Sequence, residues 1–168
     1  MKADTQPFIY RQTDDAVAAL RYGRVQLPLA RNGCGLVAIY NAMLRLGKPQ
    51  TMEDILRDAQ RLHLPWLFGL FGTKPSAPAR YFRDKGIPFV RVNDAGAFCR
   101  ALPAADCAVI CTWCDKRRHG IHFYTVCNDN GRLTALNRFY ADAPTPFSAE
   151  DVRRDRFITG YLLGRVES

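Results

Sequence analysis

Apolar positions recur at helical spacing from Cys34 to Leu46, where Val37, Tyr40 and Met43/Leu44 share one face, and Gly47 stands where a helix takes its left-handed stop. Thr51, with Asp54 three residues on, has the spacing of a capping box and predicts a helix to about Leu62, with Ile55, Leu56 and Leu62 on one face. A third helix is predicted from Ser76 as N-cap, with Pro78 in its first turn, to Gly86. Upstream, residues 1–33 read as an irregular leader holding one helix, Asp14 to Tyr22, ended by Gly23; Pro28 then helps deliver the chain to Cys34. Pro65-Trp-Leu-Phe-Gly-Leu-Phe-Gly reads as an apolar, glycine-bearing loop.

After Gly86 the period changes. Phe89-Val-Arg-Val reads as a short strand, and Asp94 caps a brief helix through Leu102. Ala108 to Trp113, His122 to Cys127, Leu133 to Phe139 and Phe157 to Leu163 follow as strands, with Asn128-Asp-Asn-Gly as a hairpin turn between the second and third of these. Helices first and antiparallel strands second predict an α+β fold. With no repeat, low-complexity run or linker, residues 1–168 read as one domain, a helical lobe to about residue 87 and a sheet lobe from about residue 88.

Composition narrows the class. Of 168 residues, 48% are hydrophobic, the balance of a globular chain and not of a disordered one. The N-terminus lacks an apolar core of the secretory kind and no apolar run reaches membrane-spanning length, so a cytoplasmic protein without a membrane span is expected. Lys and Arg exceed Asp and Glu by 24 to 16, a net charge of +8. The arginines are scattered, and only Lys116-Arg117-Arg118-His119 clusters; without an accompanying recognition motif the charge does not point to nucleic acid.

The chemistry concentrates at Asn32-Gly33-Cys34-Gly35. A helix N-terminus carries unpaired N–H groups and about half a positive charge, which draws a thiol toward thiolate, and the flanking glycines are expected to leave the sulfur open to a substrate backbone. His122 begins a strand and Asn137 ends the next one, 15 residues later across the hairpin, so the two can meet at one sheet edge. An imidazole that takes the thiol proton, with the Asn137 side-chain oxygen fixing its tautomer, is what a cysteine nucleophile requires.

A helix-opening Cys-Gly, a His-Phe-x-x-Val after a glycine, and a hairpin leading to Asn together resemble the papain-like cysteine peptidases, most nearly the bacterial C39-like ones, over roughly residues 25–140. The resemblance implies a papain-like fold with the active site between two lobes. It implies a hydrolase in which Cys34 is the nucleophile, His122 the base and Asn137 its orienter, cleaving a peptide or isopeptide bond without metal or organic cofactor. Such enzymes usually place an oxyanion-donating glutamine six residues before the cysteine, where this chain has Pro28. Gln26 and Asn32 are the alternative side-chain donors, beside the Cys34 N–H.

Rival readings remain. Cys111-Thr-Trp-Cys114 with His119 and His122 has zinc-ligand types, but on one extended strand the two cysteines face opposite ways, so no metal is expected. Cys99, Cys107, Cys111 and Cys127 read as core packing. Trp66, Phe68 and Phe71, with Gly69 and Gly72, either line a substrate cleft or fold over the core. The partner expected is a peptide or protein, its acidic segments drawn to Lys116-Arg117-Arg118. A non-catalytic peptide-binding module is the alternative, and a basic nucleic-acid-binding protein a weaker one.

Overall fold

A computed structural model describes residues 7–114, 120–139 and 141–164. The chain runs α1 (Asp15–Ala18), β1 (Arg21–Tyr22), β2 (Leu27–Pro28), α2 (Leu29–Asn32), α3 (Cys34–Arg45), α4 (Met52–Arg61), α5 (Ala77–Asp84), β3 (Phe89–Val92), α6 (Ala95–Ala101), β4 (Cys107–Cys114), β5 (Gly120–Asp129), β6 (Arg132–Leu136), β7 (Thr145–Pro146), α7 (Ala149–Arg154) and β8 (Phe157–Leu163). Six strands form one antiparallel sheet in the order β3-β8-β4-β5-β6-β7. The fold is α+β.

Local signals act where expected. Thr51 accepts from the Asp54 N–H at the start of α4, Asp94 accepts from the Ala97 N–H at the start of α6, and Gly47 and Gly86 follow their helices at positive φ. Ser76 precedes α5 but makes no side-chain cap. Asn130 and Gly131, both at positive φ, turn β5 into β6, with the Asn128 side chain accepting from the Gly131 N–H. The helix expected over Asp14–Tyr22 is only α1, because Tyr22 is pulled into the core with its hydroxyl on Thr73 and its segment pairs with β2. Gly23 between them sits at φ +74, and a Cβ there would lie 2.5 Å from the Phe68 carbonyl oxygen.

The sheet has two covered faces. Cys107, Val109 and Cys111 of β4, Phe123 of β5, and Tyr161 and Leu163 of β8 pack with Leu36, Val37 and Ile39 of α3. Ala108, Ile110, Tyr124, Val126 and Leu162 pack on the other side with Phe98 of α6 and Val152 of α7. α7 was not expected, although Ser148 and Asp151 form a reciprocal capping box at its start. Among the described residues no helix is long and apolar enough to cross a membrane.

Candidate active site

The site lies where β6 leaves the sheet. Pairing of β5 with β6 ends at Thr125 and Leu136, and Asn137 follows in the left-handed region at φ 60, a conformation asparagine adopts more readily than most residues. The strand expected to reach Phe139 therefore stops at Leu136, and among the described residues β5 from Gly120 to Tyr124 pairs with β4 alone. α3 begins against this gap. The main-chain N–H groups of Phe123, Gly35 and Cys34 all favour the Cys34 thiolate, but burial outweighs them and pushes the thiol up to about 11, with Cys114 adding in the same direction. The depressed thiol expected at a helix start is thus reversed in the resting site.

Packing requires the glycines beside Cys34. A Cβ on Gly33 would lie 2.7 Å from the Leu29 carbonyl oxygen, and one on Gly35 would lie 2.5 Å from Thr73.

Across the gap, His122 Nε2 lies 2.7 Å from the main-chain carbonyl oxygen of Asn137. A carbonyl only accepts, so Nε2 carries the hydrogen and the neutral ring keeps its lone pair at Nδ1. Burial pushes the His122 pKa down, against the Asn137 bond and the Asp155 charge, which holds the ring in this free-base form near neutrality. The ring stands 5.4 Å from that of Phe139 and 6.3 Å from that of Tyr124. The orienting bond expected from the Asn137 side chain is therefore made by its main chain. Its Oδ1 instead accepts from the Gln12 N–H at 3.0 Å.

A cavity of about 720 Å³ opens over Cys34, His122, Asn137, Asn32 and Gln12. Trp66, Leu70, Phe71 and Gly72 form one wall, and Trp113, Cys114 and Phe139 belong to another. Among the described residues no hydrogen bond joins the Cys34 sulfur to the His122 ring. Of the loop residues for which a cleft wall and a cover over the core were the two alternatives, Phe68 and Gly69 lie outside the cavity, and Arg24 sits 5.7 Å over the Phe68 ring. Gln26 also lies outside: it is exposed in the β1–β2 turn, and its Nε2 donates to the Gly23 carbonyl at 2.6 Å. Asn32 lines the cavity, but its Nδ2 is committed to the Gly69 carbonyl at 2.8 Å, where it anchors the apolar loop. His119 and Lys116-Arg117-Arg118 lie outside the described residues.

Gln12 is the residue that sequence reasoning missed. Buried Asn41 of α3 grips Ile9 from both sides, accepting from its N–H at 2.9 Å and donating to its carbonyl at 2.8 Å. That clamp aims the following residues at the site, where Gln12 Nε2 donates to the Ala30 carbonyl at 3.0 Å. The residue thus spans from the His122 side, through Asn137, to the segment that leads into Cys34. Its amide was hidden by counting along the chain. Residues 15–32 fold as α1, the β1–β2 pair and α2 and return close to where they left, with the Leu29 N–H on the Leu20 carbonyl.

Cys111 and Cys114 lie three apart on uninterrupted β4, a spacing that alternates faces, and among the described residues no three His, Cys, Asp or Glu side chains converge as metal ligands.

No family model and no curated sequence matches this chain. Its fold is similar to that of the peptidase domain of Streptococcus ComA, a bifunctional ABC transporter involved in a quorum-sensing pathway. The TM-score is 0.58 at 15% identity, over 80% of this chain and 92% of the other. The two share a fold.

Proposed function

We propose that this chain is a single-domain cysteine peptidase of the C39-like kind, acting on a peptide or isopeptide bond in the cavity over Cys34. The observation that supports it most is the pairing, in one cavity, of a helix-start thiol with an imidazole whose tautomer leaves Nδ1 free to accept a proton. With the thiol raised and the ring neutral, the resting pair is thiol and imidazole. His122 Nδ1 takes the proton as sulfur attacks the carbonyl carbon, giving a tetrahedral oxyanion. The Cys34 N–H and the second hydrogen of Gln12 Nε2 serve as its donors, in place of Gln26. Collapse breaks the C–N bond, the leaving amine takes the proton from His122, and water activated by His122 then hydrolyses the thioester.

Internally quenched peptides and casein test this reading. Turnover lost in both Cys34→Ser and His122→Ala supports it, and turnover surviving in either sinks it. A peptide-binding module without turnover is the second reading, favoured by the raised thiol. Tight peptide binding by the wild type, with no cleavage and no acylation of Cys34 by an electrophilic peptide, would make it the better one.

A further inference from the structure

The loop from Trp66 to Phe71 holds its apolar side chains outward. Leu67, Phe68, Leu70 and Phe71 are each more than half exposed, and Val25 of the β1–β2 turn, whose N–H donates to the Phe68 carbonyl at 3.2 Å, is exposed beside them. The main chain fixes this display. Leu67, Phe68 and Gly69 follow one another at φ 44, 61 and 103, left-handed backbone that is costly at the two residues with a Cβ. It is tied inward by the Trp66 N–H on the Gly72 carbonyl and by Asn32 Nδ2 on the Gly69 carbonyl, both at 2.8 Å.

The surface around the loop is cationic. No Asp or Glu occurs in residues 16–52 or 64–83. Arg24 lies over the Phe68 ring, Arg21 reaches the Gln26 carbonyl in the same turn, and Arg31 lines the first cavity together with Trp66 and Phe71. All three arginines are exposed, and among the described residues none of them pairs with a carboxylate.

Exposed apolar side chains in a patch call for a partner. A peptide in the first cavity meets Trp66, Leu70 and Phe71 but not Leu67 and Phe68, which lie outside it. A second copy of the chain, packed face to face, sets unpaired arginines against one another. An anionic bilayer answers both features, its acyl boundary taking the apolar side chains and its phosphates the guanidinium groups. We propose that this loop and the β1–β2 turn form a docking surface for an anionic phospholipid bilayer, with Leu67 and Phe68 at the acyl boundary and Arg21 and Arg24 at the level of the phosphates. Docking is separate from any chemistry over Cys34, but it brings that cavity to the lipid surface, because Trp66, Leu70 and Phe71 are also its wall.

Flotation of the full chain with vesicles tests the proposal without reference to turnover. Vesicles of phosphatidylcholine with about one-third phosphatidylglycerol are expected to carry the protein, less so as salt is raised, and phosphatidylcholine alone to carry little. Leu67→Asn/Phe68→Asn, polar residues that tolerate left-handed backbone, is expected to lower partition into the anionic vesicles about tenfold at an unchanged melting temperature. Phe68→Asn alone serves if the double variant does not fold. Arg21→Gln and Arg24→Gln are each expected to lower partition about fivefold. In Trp113→Phe, Trp66 is the sole tryptophan, and lipids brominated on the acyl chains are expected to quench it. No flotation with anionic vesicles, equal flotation with both kinds, or flotation undiminished in Leu67→Asn/Phe68→Asn overturns the proposal, the last because net charge alone would then adsorb the protein. A dimer seen by sedimentation without vesicles and dissolved by Phe68→Asn, in a protein that does not float, would assign the patch to a second copy and overturn it too.

Discussion

The two faces of the sheet are held by different physics. The face under α3 is dry: Cys107, Val109, Cys111 and Phe123 meet Leu36, Val37 and Ile39, and the buried polar groups there, Thr125 and Asn41, are satisfied by the Ala38 carbonyl and by Ile9. The opposite face buries an ionic knot, Arg138 with Asp151 and Asp155, beneath Tyr124 and Phe147. Cys34 belongs to the first cluster, and the His122 ring stacks beside Tyr124 and Phe139 of the second. The proposed reacting pair therefore straddles a seam. A dry face fixes a nucleophile by packing, whereas a base whose protonation must change is better served by a neighbourhood that already handles charge.

The strongest way to break this comparison is to remove one group from each side. Cys34→Ala and His122→Ala should each lower turnover of a cleaved peptide by about 10⁴-fold or more, and the double variant should be no worse, because the two act as one unit. Losses that multiplied would show two independent contributions and no working pair across the seam.

Stability should separate the faces next. Arg138→Ala leaves Asp151 and Asp155 buried without their shared partner and should cost about 3–5 kcal/mol. Ile39→Ala on the dry face should cost about 2–5 kcal/mol through transfer and cavity terms. Urea unfolding measures both. The distinguishing sign is salt, which should narrow the Arg138→Ala penalty and leave the Ile39→Ala penalty unchanged.

Gln12→Ala should keep the melting temperature near that of the wild type and lower kcat by about 10²–10³-fold, the usual cost of one oxyanion donor. A fall in melting temperature with kcat preserved would make Gln12 a strut between Ala30 and Asn137 and nothing more.

What was legible in the sequence follows the same division. Local signals carried the helices and the hairpin: Thr51, Asp94, Gly47 and Asn130-Gly131 act within a few residues of themselves. They also marked the positions of Cys34, at the start of α3, and of His122, near the start of β5, on which the proposed roles depend. Features that depend on chain closure were hidden. β8 is a recognisable strand, yet its place between β3 and β4 is set by long-range fit, with Gly160 so close to Phe98 that a Cβ would lie 2.2 Å from the ring. Asn137 was found as a residue, but which of its oxygens meets His122 depended on Gln12, 125 residues away. Arg138 gave no sign of its two acidic partners, Asp151 on a helix that had not been foreseen and Asp155 just past that helix's end.

The smallest effect expected is a stability plateau whose two edges belong to the two sides of the seam. His122 is held below its ordinary value of 6.5, so as pH falls through that range the unfolded chain takes a proton that the folded chain resists. Stability is then fully present above the unfolded pKa and declines on the acid side. Cys34 is raised from 9.0 to about 11, so between those values the unfolded chain releases a proton that the folded chain retains, and stability declines on the alkaline side. Cys127, raised by burial over the same interval, adds to the alkaline limb, so Cys34→Ala should soften that limb without abolishing it. Urea midpoints at about pH 5, 7.5 and 10 resolve both edges. His122→Gln should flatten the acid limb between pH 7.5 and 5 and leave the alkaline limb in place. An acid limb unchanged in His122→Gln would mean that the imidazole is not buried as the neutral base, and the proton-acceptor role proposed for Nδ1 would lose its footing.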